Sequence, residues 1–480
     1  MAPIRKVAIV GGGLAGLAAG GLLSRKGVQV SLFEANNKLG GCCATTTVDG
    51  YTFNDGALFV AVPSLLDFVF EQLGLSRQLF VPLRKITALQ TTRLADGTVV
   101  RFGEGLDVSV TRPDGQVEAR VARDQLEVLL RKWEPVLHLF IDDLVRHPLS
   151  IRRLVLKGWR QLPKLRGTLA AELDTAFTDP AIRAALSAAV LFSGVPSRQT
   201  PVASILGLIA LFTEGLYLPE GGMGRIPAAL SDSLAGRGGD IVLNADVRRI
   251  VLANGRARGI DVAGHGIIEA DAEISTANAM STFTWLLDPA EAPREAVRKV
   301  QRARLSHRAV AVQLGLSNDV TGTSYFNCVV PFMDDQDQVF VARAQEIDWP
   351  IYYVSTLVMP ELAPPGGSVI EAFPPVDQHQ SVELWDEQQE ANVLDLVTRS
   401  LSRMHDCTSS RIECYRRGTI VTECTCTTVP STVFRRWSVR RPCSRTGPRL
   451  GVCTWRARRH SPATVLRRRQ SRVCSRPRPS

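Results

Sequence analysis

Cysteine is scarce over most of this 480-residue chain: seven of its ten cysteines lie between positions 407 and 474, and only Cys42, Cys43 and Cys328 precede them. So few thiols exclude a disulfide-stapled scaffold and suit a reducing compartment. Cys42 and Cys43 read as local packing rather than as a redox pair. Long apolar runs are missing as well. The longest, residues 202–212, is well short of the roughly 20 residues that a membrane-spanning helix needs, so no crossing segment is expected. Met1 leads almost directly into the apolar run Val7-Ala8-Ile9-Val10, where no secretory leader can be fitted, and the expected location is the cytoplasm. No histidine pair brackets an acid at helical spacing and no cysteine pair has zinc spacing, so no metal is expected.

Acid is absent from the end of the chain. Residues 431–480 contain 15 Arg and no Lys, Asp or Glu, whereas the rest of the chain holds 42 basic and 47 acidic side chains. The formal charge of +10 therefore belongs to the tail, and the mildly acidic body gives no reason to expect nucleic acid as a partner. Beyond about residue 405, Arg, Cys, Ser, Thr and Pro dominate and hydrophobic periodicity stops, a composition that cannot bury enough apolar surface to fold.

What is present begins with a strand, a glycine turn, a helix and a second strand. Val7 to Val10 runs into Gly11-Gly12-Gly13-Leu14-Ala15-Gly16, then a helical stretch from Leu17, then Val28 to Phe33 and Glu34. In this context Gly11 permits the tight turn, Gly13 lets the backbone approach a diphosphate, and Gly16 allows close helix–strand packing. Glu34, eighteen residues past Gly16, is placed to accept hydrogen bonds from a ribose. The alternative is a plain glycine turn with a solvated Glu34. A helix is expected from Ser64, set up by Pro63 and ended by Gly74, with helical runs between residues 126 and 217 and short β-branched strands after Gly239.

The stretch from Val7 to Gly56 resembles the flavin-dependent oxidoreductases of the amine oxidase and phytoene desaturase superfamily. The resemblance is carried by residues 11–17, by Glu34-Ala35, by Gly40-Gly41 and by Asp49-Gly50-Tyr51-Thr52-Phe53-Asn54-Asp55-Gly56. Residues 217–224, Tyr-Leu-Pro-Glu-Gly-Gly-Met-Gly, and the strands that follow are similar to the phytoene desaturase and carotenoid isomerase branch. The resemblance implies FAD as cofactor and an α/β fold: a discontinuous Rossmann-like FAD-binding domain with an inserted mixed helical and β substrate domain. The expected division is 1–85 and 219–300 for FAD, 86–218 (largely helical) and 301–405 for substrate, and 406–480 as an aberrant tail. The implied cofactor contacts are Gly11, Gly13, Leu14, Ala15, Gly16, Glu34, Ala35, Gly40, Gly41, Gly56 and the main chain of Val247. Two departures stand out. Cys42 occupies a position where the family usually has a basic residue, with Lys38 as a substitute, and Asn54 stands where an acid is usual. No catalytic side chain is assigned.

The branch acts on long polyisoprenoids, which implies a hydrophobic small-molecule substrate and a peripheral contact with a membrane. Residues 144–171 contain no acid, yet hold Arg146, Arg152, Arg153, Lys157, Arg160, Lys164 and Arg166 among Leu149, Ile151, Leu154, Leu156, Trp159, Leu162 and Leu165. That mixture suits an anionic surface, and equally an ordinary solvated helix.

The family also closes its flavin site with a C-terminal motif that the written tail lacks. Trp455 must be TGG; with Arg456 as CGN, shifting the frame spells alanine, and continuing from Cys453 permits Y-L-A-G-A-S-T-(F/L)-P-G-D-G-V-P. The expectation is a tail translated out of frame, with the slip between about residues 405 and 440. An Arg-rich nucleic-acid arm would explain the charge but not this hidden motif. Amine oxidase or protoporphyrinogen oxidase chemistry, and an inactive binding or scaffold protein that has lost the C-terminal motif, remain as alternatives.

Overall fold

The computed structural model describes residues 4–147, 150–189, 194–288, 290–303, 309–320, 323–330, 351–374, 387–404 and 420–424. The tail expected at 406–480 therefore lies outside the described residues except for 420–424, which form a strand where no fold was expected, and Leu149 lies outside as well. The chain opens with β1 (Lys6–Val10), the helix Leu14–Arg25 and β2 (Gln29–Phe33), followed by the hairpin β3 (Thr45–Val48) and β4 (Tyr51–Asn54). The helix Pro63–Gln72 starts on the expected proline, and Gly74, at φ +71°, follows its end. Next come β5 (Leu83–Ile86), β6 (Gln90–Leu94), β7 (Val99–Phe102), β8 (Val108–Thr111) and β9 (Val117–Ala119). A run of helices that includes Arg123–His138, Pro180–Ala188 and Ile205–Thr213 leads to β10 (Leu216–Pro219) and the helix Arg225–Ala235. Strands β11 (Asp240–Val242), β12 (Val247–Ala253), β13 (Arg256–Val262), β14 (Gly266–Glu269) and β15 (Ala272–Ser275) follow. The last group is β16 (Ala309–Leu316), β17 (Phe326–Val330), β18 (Ile351–Val354), β19 (Ser368–Ala372), the helix Glu387–Met404 and β20 (Ile420–Cys424).

A parallel sheet of order β11-β2-β1-β15 joins strands more than 200 residues apart. Its strands are apolar on both faces, as parallel strands are when covered on both sides. One face packs on the helices Leu14–Arg25 and Arg225–Ala235, where Leu17, Leu230 and Leu234 are buried. The other carries Ala8, Val10 and Phe33 against Val247, Ile250, Ile260 and Val262 of the antiparallel β12-β13-β14 layer. This is a Rossmann-like α/β arrangement built from two separate stretches of chain.

The second large sheet runs β20-β16-β19-β18-β17-β6-β7-β8-β9. Here the structure departs from the sequence reading, because residues 90–119 supply four strands to a segment expected to be largely helical. Short Val- and Thr-rich runs separated by Asp96-Gly97 and Gly115 pair as a meander, and Gly97 and Gly115 take positive φ as turn glycines do. The helix Pro180–Ala188 packs on this sheet, and the buried Gln90 donates from Nε2 to the Ala185 carbonyl at 2.9 Å.

Candidate functional site

Strand β1 leads into Gly11, whose φ of +103° is costly for any side chain, and a Cβ there would stand 2.7 Å from Thr276 Oγ1. Thr276, just past β15, donates to the carbonyls of Val10 and Gly11, so the end of the distant strand fixes the turn. Packing is tightest at Gly16, where a Cβ would lie 2.1 Å from the Gly11 carbonyl oxygen. Gly13 is different. No atom lies within 4 Å of where its Cβ would be. The helix Leu14–Arg25 starts there with no side-chain cap and no acid in its first turn. The amides of Leu14, Ala15 and Gly16 thus lack intrahelical acceptors and face a clear approach, the donor set that an anionic phosphate requires.

The second glycine pair lies against the first. Gly40 N donates to Gly12 O at 2.8 Å, Gly13 and Gly40 form a parallel bridge, and a Cβ on Gly41 would be 3.5 Å from Gly13 Cα. Glu34 is buried at the end of β2. Its Oε2 accepts from Gly12 N at 2.7 Å, and its Oε1 accepts from Asn36 N and Nδ2 at 2.8 and 2.6 Å. Ala35 follows it, half-buried. The β11–β12 connection docks on this segment, Ala245 N donating to Glu34 O and Asn244 N to Asn36 O. Val247 begins the next strand, and a register irregularity between Val247 and Arg249 interrupts the ladder there.

Lys38 departs from expectation. Its ammonium donates to Thr45 O, Thr46 Oγ1 and Asp55 Oδ2, which uses all three donors inside the hairpin β3–β4. The physical reason is Asp55: burial pushes its carboxyl up to about 7, while Thr46, Gln313 and the Lys38 charge favour the ionised form. Lys38 serves that acid and has no donor left for a phosphate.

Gly56 stands beside the Gly40–Gly41 loop, since Asp55 N donates to Ala44 O and Ala57 N to Cys42 O. The wall behind it is a buried polar cluster centred on Asn54. Asn54 Oδ1 accepts from Met223 N at 2.8 Å in the turn after β10, and Asn54 O accepts from Gln313 Nε2 at 2.7 Å. Its backbone N and Nδ2 donate to Glu371 Oε1 at 2.7 and 2.9 Å. Glu371 has no exposed surface, and burial pushes its carboxyl up to about 7 against the pull of Ser355 and Asn54. Its Oε2 is in contact with Ser355 Oγ, and Tyr325, also fully buried, donates to the Leu58 carbonyl. Gly221 and Gly222 form a turn, both at positive φ. Cys43, buried, donates its thiol to Met223 O at 3.6 Å.

Sequence reasoning missed Glu371, Gln313, Ser355, Tyr325 and Thr276. Register explains the first two: Gln313, Glu371, Tyr353, Phe326, Gln90 and Phe102 are direct cross-strand neighbours from β16 to β7, one row along the large sheet. The one available signal was an acid inside an apolar strand, Ser-Val-Ile-Glu-Ala, where a charge is costly without a partner.

The model of the family described as flavin containing amine oxidoreductase matches residues 14–445. Among curated proteins, the chain is 26% identical over 402 residues to a zeta-carotene-forming phytoene desaturase of Myxococcus xanthus, covering 79% of this chain and 74% of that one. It is 25% identical over 386 residues to a lycopene-forming phytoene desaturase of Pseudescherichia vulneris, covering 78% and 76%. Among solved structures, an oxidoreductase from Methanosarcina mazei superposes with a TM-score of 0.57 at 19% identity, over 84% of this chain and 85% of that one. A putrescine oxidase variant from a redesign of its cofactor binding gives 0.54 at 19%, over 84% and 82%. The uncapped helix start after Gly13, the buried Glu34 and the docked Gly40-Gly41 loop form a donor and acceptor set that fits a dinucleotide. With nine-tenths of its length matched, the chain belongs to the family of flavin containing amine oxidoreductases, and FAD is the cofactor of this oxidoreductase.

Proposed function

We propose that this oxidoreductase acts on a long hydrophobic polyisoprenoid, as a desaturase of the carotenoid branch. The observation that carries the reading is the agreement among relatives. Those named phytoene or diapophytoene desaturases span 62–81% of their own length here, at 23–26% identity. Residues 1–85 with 219–300 form the FAD-binding unit, and 86–218 with 301–405 the substrate unit. FAD supplies the hydride acceptor. Gly11 and Gly13, with the amides of Leu14, Ala15 and Gly16, hold the diphosphate; Glu34 and Ala35 hold the ribose; and the Val247 main chain meets the adenine. Three of the roughly four lone-pair positions of Glu34 are used within the chain, so the exposed Asn36 is the group that yields to a ribose hydroxyl. Gly40, Gly41 and Gly56 line the path from diphosphate to flavin.

The same reading includes a membrane contact. Leu156 and Trp159 are 66% and 58% exposed beside the exposed Arg152, Arg160 and Arg166, which supports docking on an anionic surface. Other cations of the stretch are engaged within the chain: Arg146 lies over Phe68 and donates to Ser64 O, Lys157 is 2.5 Å from Asp143, and Lys164 donates to Lys132 O. No helix among the described residues is long and apolar enough to cross a membrane.

The regular antiparallel register of β20 with β16, from Ala309–Cys424 to Gln313–Ile420, supports a frame slip after Cys424. The coding DNA across codons 400–480 is the direct check. Expressed side by side, a chain with the frame restored from between codons 425 and 440 should purify yellow, and the written chain colourless or in low yield. Equal flavin in both would remove the frame argument. Flavin-loaded protein that leaves phytoene and diapophytoene unchanged, with an artificial electron acceptor supplied, would count against the substrate reading.

A further inference from the structure

Among the described residues, Glu371 is the one carboxyl in the wall cluster that no cation touches. It projects from β19 with no exposed surface. From β16 it faces Gln313, from β18 Tyr353, from the end of β4 Asn54 and Asp55, and from the chain before β17 Tyr325; Cys328 lies near Tyr353. Lys38, the nearby cation of the cluster, is held by Asp55. An ionised Glu371 would therefore be a buried charge with hydrogen bonds but no counter-ion, beside a second acid.

Both protonation states can be hydrogen-bonded: the Ser355 hydroxyl donates to an ionised Oε2, and a proton on Oε2 lets Glu371 donate to Ser355 Oγ instead. Oε1 keeps both donors from Asn54 in either state, and Tyr325 donates to the Leu58 carbonyl. What separates the two is charge, because only the protonated acid avoids a fully buried carboxylate with no cation against it among the described residues.

We propose that Glu371 is a positioning residue that carries a proton in the folded chain at neutral pH and fixes the Asn54 end of β4, two residues before Gly56. In this role it keeps the wall behind Gly56 uncharged and holds Asn54, which in turn holds Met223. The placement of that wall beside the flavin rests on the cofactor-contact reading above; the protonation state does not.

The test separates the two. Infrared difference spectra of the full chain, wild type against Glu371→Gln, should show at pH 6 a protonated-carboxyl band that the variant lacks, and this band should titrate away as pH rises past 7. Asp55→Asn should retain it. No difference band, or a band that disappears with Asp55→Asn instead, overturns the proposal. Glu371→Asp, which keeps a carboxyl on a shorter arm, should shift the band and not remove it, and serves should the Gln variant not fold. FAD titration on the frame-restored chain supplies the second readout: wild-type affinity should fall about tenfold from pH 6 to pH 8.5 as the wall becomes charged, and Glu371→Gln should flatten that profile. A pH-independent wild-type affinity overturns the link to the wall. Failure of every variant to bind FAD would sink the cofactor-contact reading, while the infrared result still decides the proton.

Discussion

The glycine turn and the Asn54 wall are both dense with buried hydrogen bonds, yet they are specified in opposite ways. The turn draws nearly all its parts from residues 7–41, and each glycine there has a local reason. The wall draws Asn54, Met223, Gln313, Ser355 and Glu371 from across more than 300 residues, and no local pattern announces it. A local device fails by sterics when a single atom is added. A dispersed device fails by electrostatics when one partner changes charge.

The sharpest way to break the turn is Gly16→Ala. The added Cβ would sit 2.1 Å from the Gly11 carbonyl oxygen, and neither backbone can retreat without opening the β1–helix junction. The expected outcome is loss of FAD binding and about 3 kcal/mol of stability, read by thermal unfolding. Gly13→Ala is the control: its Cβ enters open space, so the apo chain should keep its stability and lose only cofactor affinity.

The wall should break almost as severely with Asn54→Asp, which sets two acids 2.9 Å apart with no donor between them unless one is protonated. At pH 8 this should cost about 3 kcal/mol, and the double variant Asn54→Asp, Glu371→Gln should recover most of it, because the amide introduced on β19 can donate where Asn54 did. Equal loss in the single and double variants would mean that the cluster does not couple these residues.

This contrast also explains what could be read in advance. The strand, glycine turn, helix and acid at Glu34 were legible because their chemistry fits within one βαβ unit, and the helix Pro63–Gln72 because Pro63 and Gly74 mark its ends. The pairing of β15 with β1 and the nine-stranded sheet were not, since register is set by contacts that sequence separation hides. Lys38 was misread for the same reason. Its partner Asp55 is seventeen residues away, across a hairpin whose pairing had to be seen.

A pH series sharpens the comparison, because the wall holds two buried carboxyls whose pKa values are raised. Glu371 and Asp55 are each pushed up to about 7 from the ordinary carboxylate range, so the folded state binds their protons more tightly than the unfolded state does. Their contribution is full below about pH 4.5 and is lost as pH rises through about 7. Wild-type stability should thus fall over that window, by about 3 kcal/mol for Glu371, and Glu371→Gln should remove its share. Next in size is Glu34→Ala, which removes an acceptor from Gly12 N and from the ribose; FAD affinity should weaken by about 1 to 3 kcal/mol in a fluorescence titration.

The smallest effect belongs to a region that is neither turn nor wall. Arg152, Arg160 and Arg166 are exposed in the same stretch as the exposed Trp159 and Leu156, and Arg160 already lies 5.2 Å over the Trp159 ring. Each cation near an anionic bilayer contributes about 1 kcal/mol at modest ionic strength, and salt screens that contribution within about 10 Å. Changing the three to Glu should therefore reduce flotation with anionic liposomes at low salt and matter little at high salt, while Trp159→Ala should weaken binding at both. Lys157→Glu is the internal control. Its ammonium is 2.5 Å from Asp143, so reversing it should lower stability more than membrane binding. The flotation must use protein without residues 425–480, whose arginines would bind acidic lipid whatever the fold does. Equal flotation by the wild type and the triple variant at low salt would assign this stretch to an ordinary solvated surface.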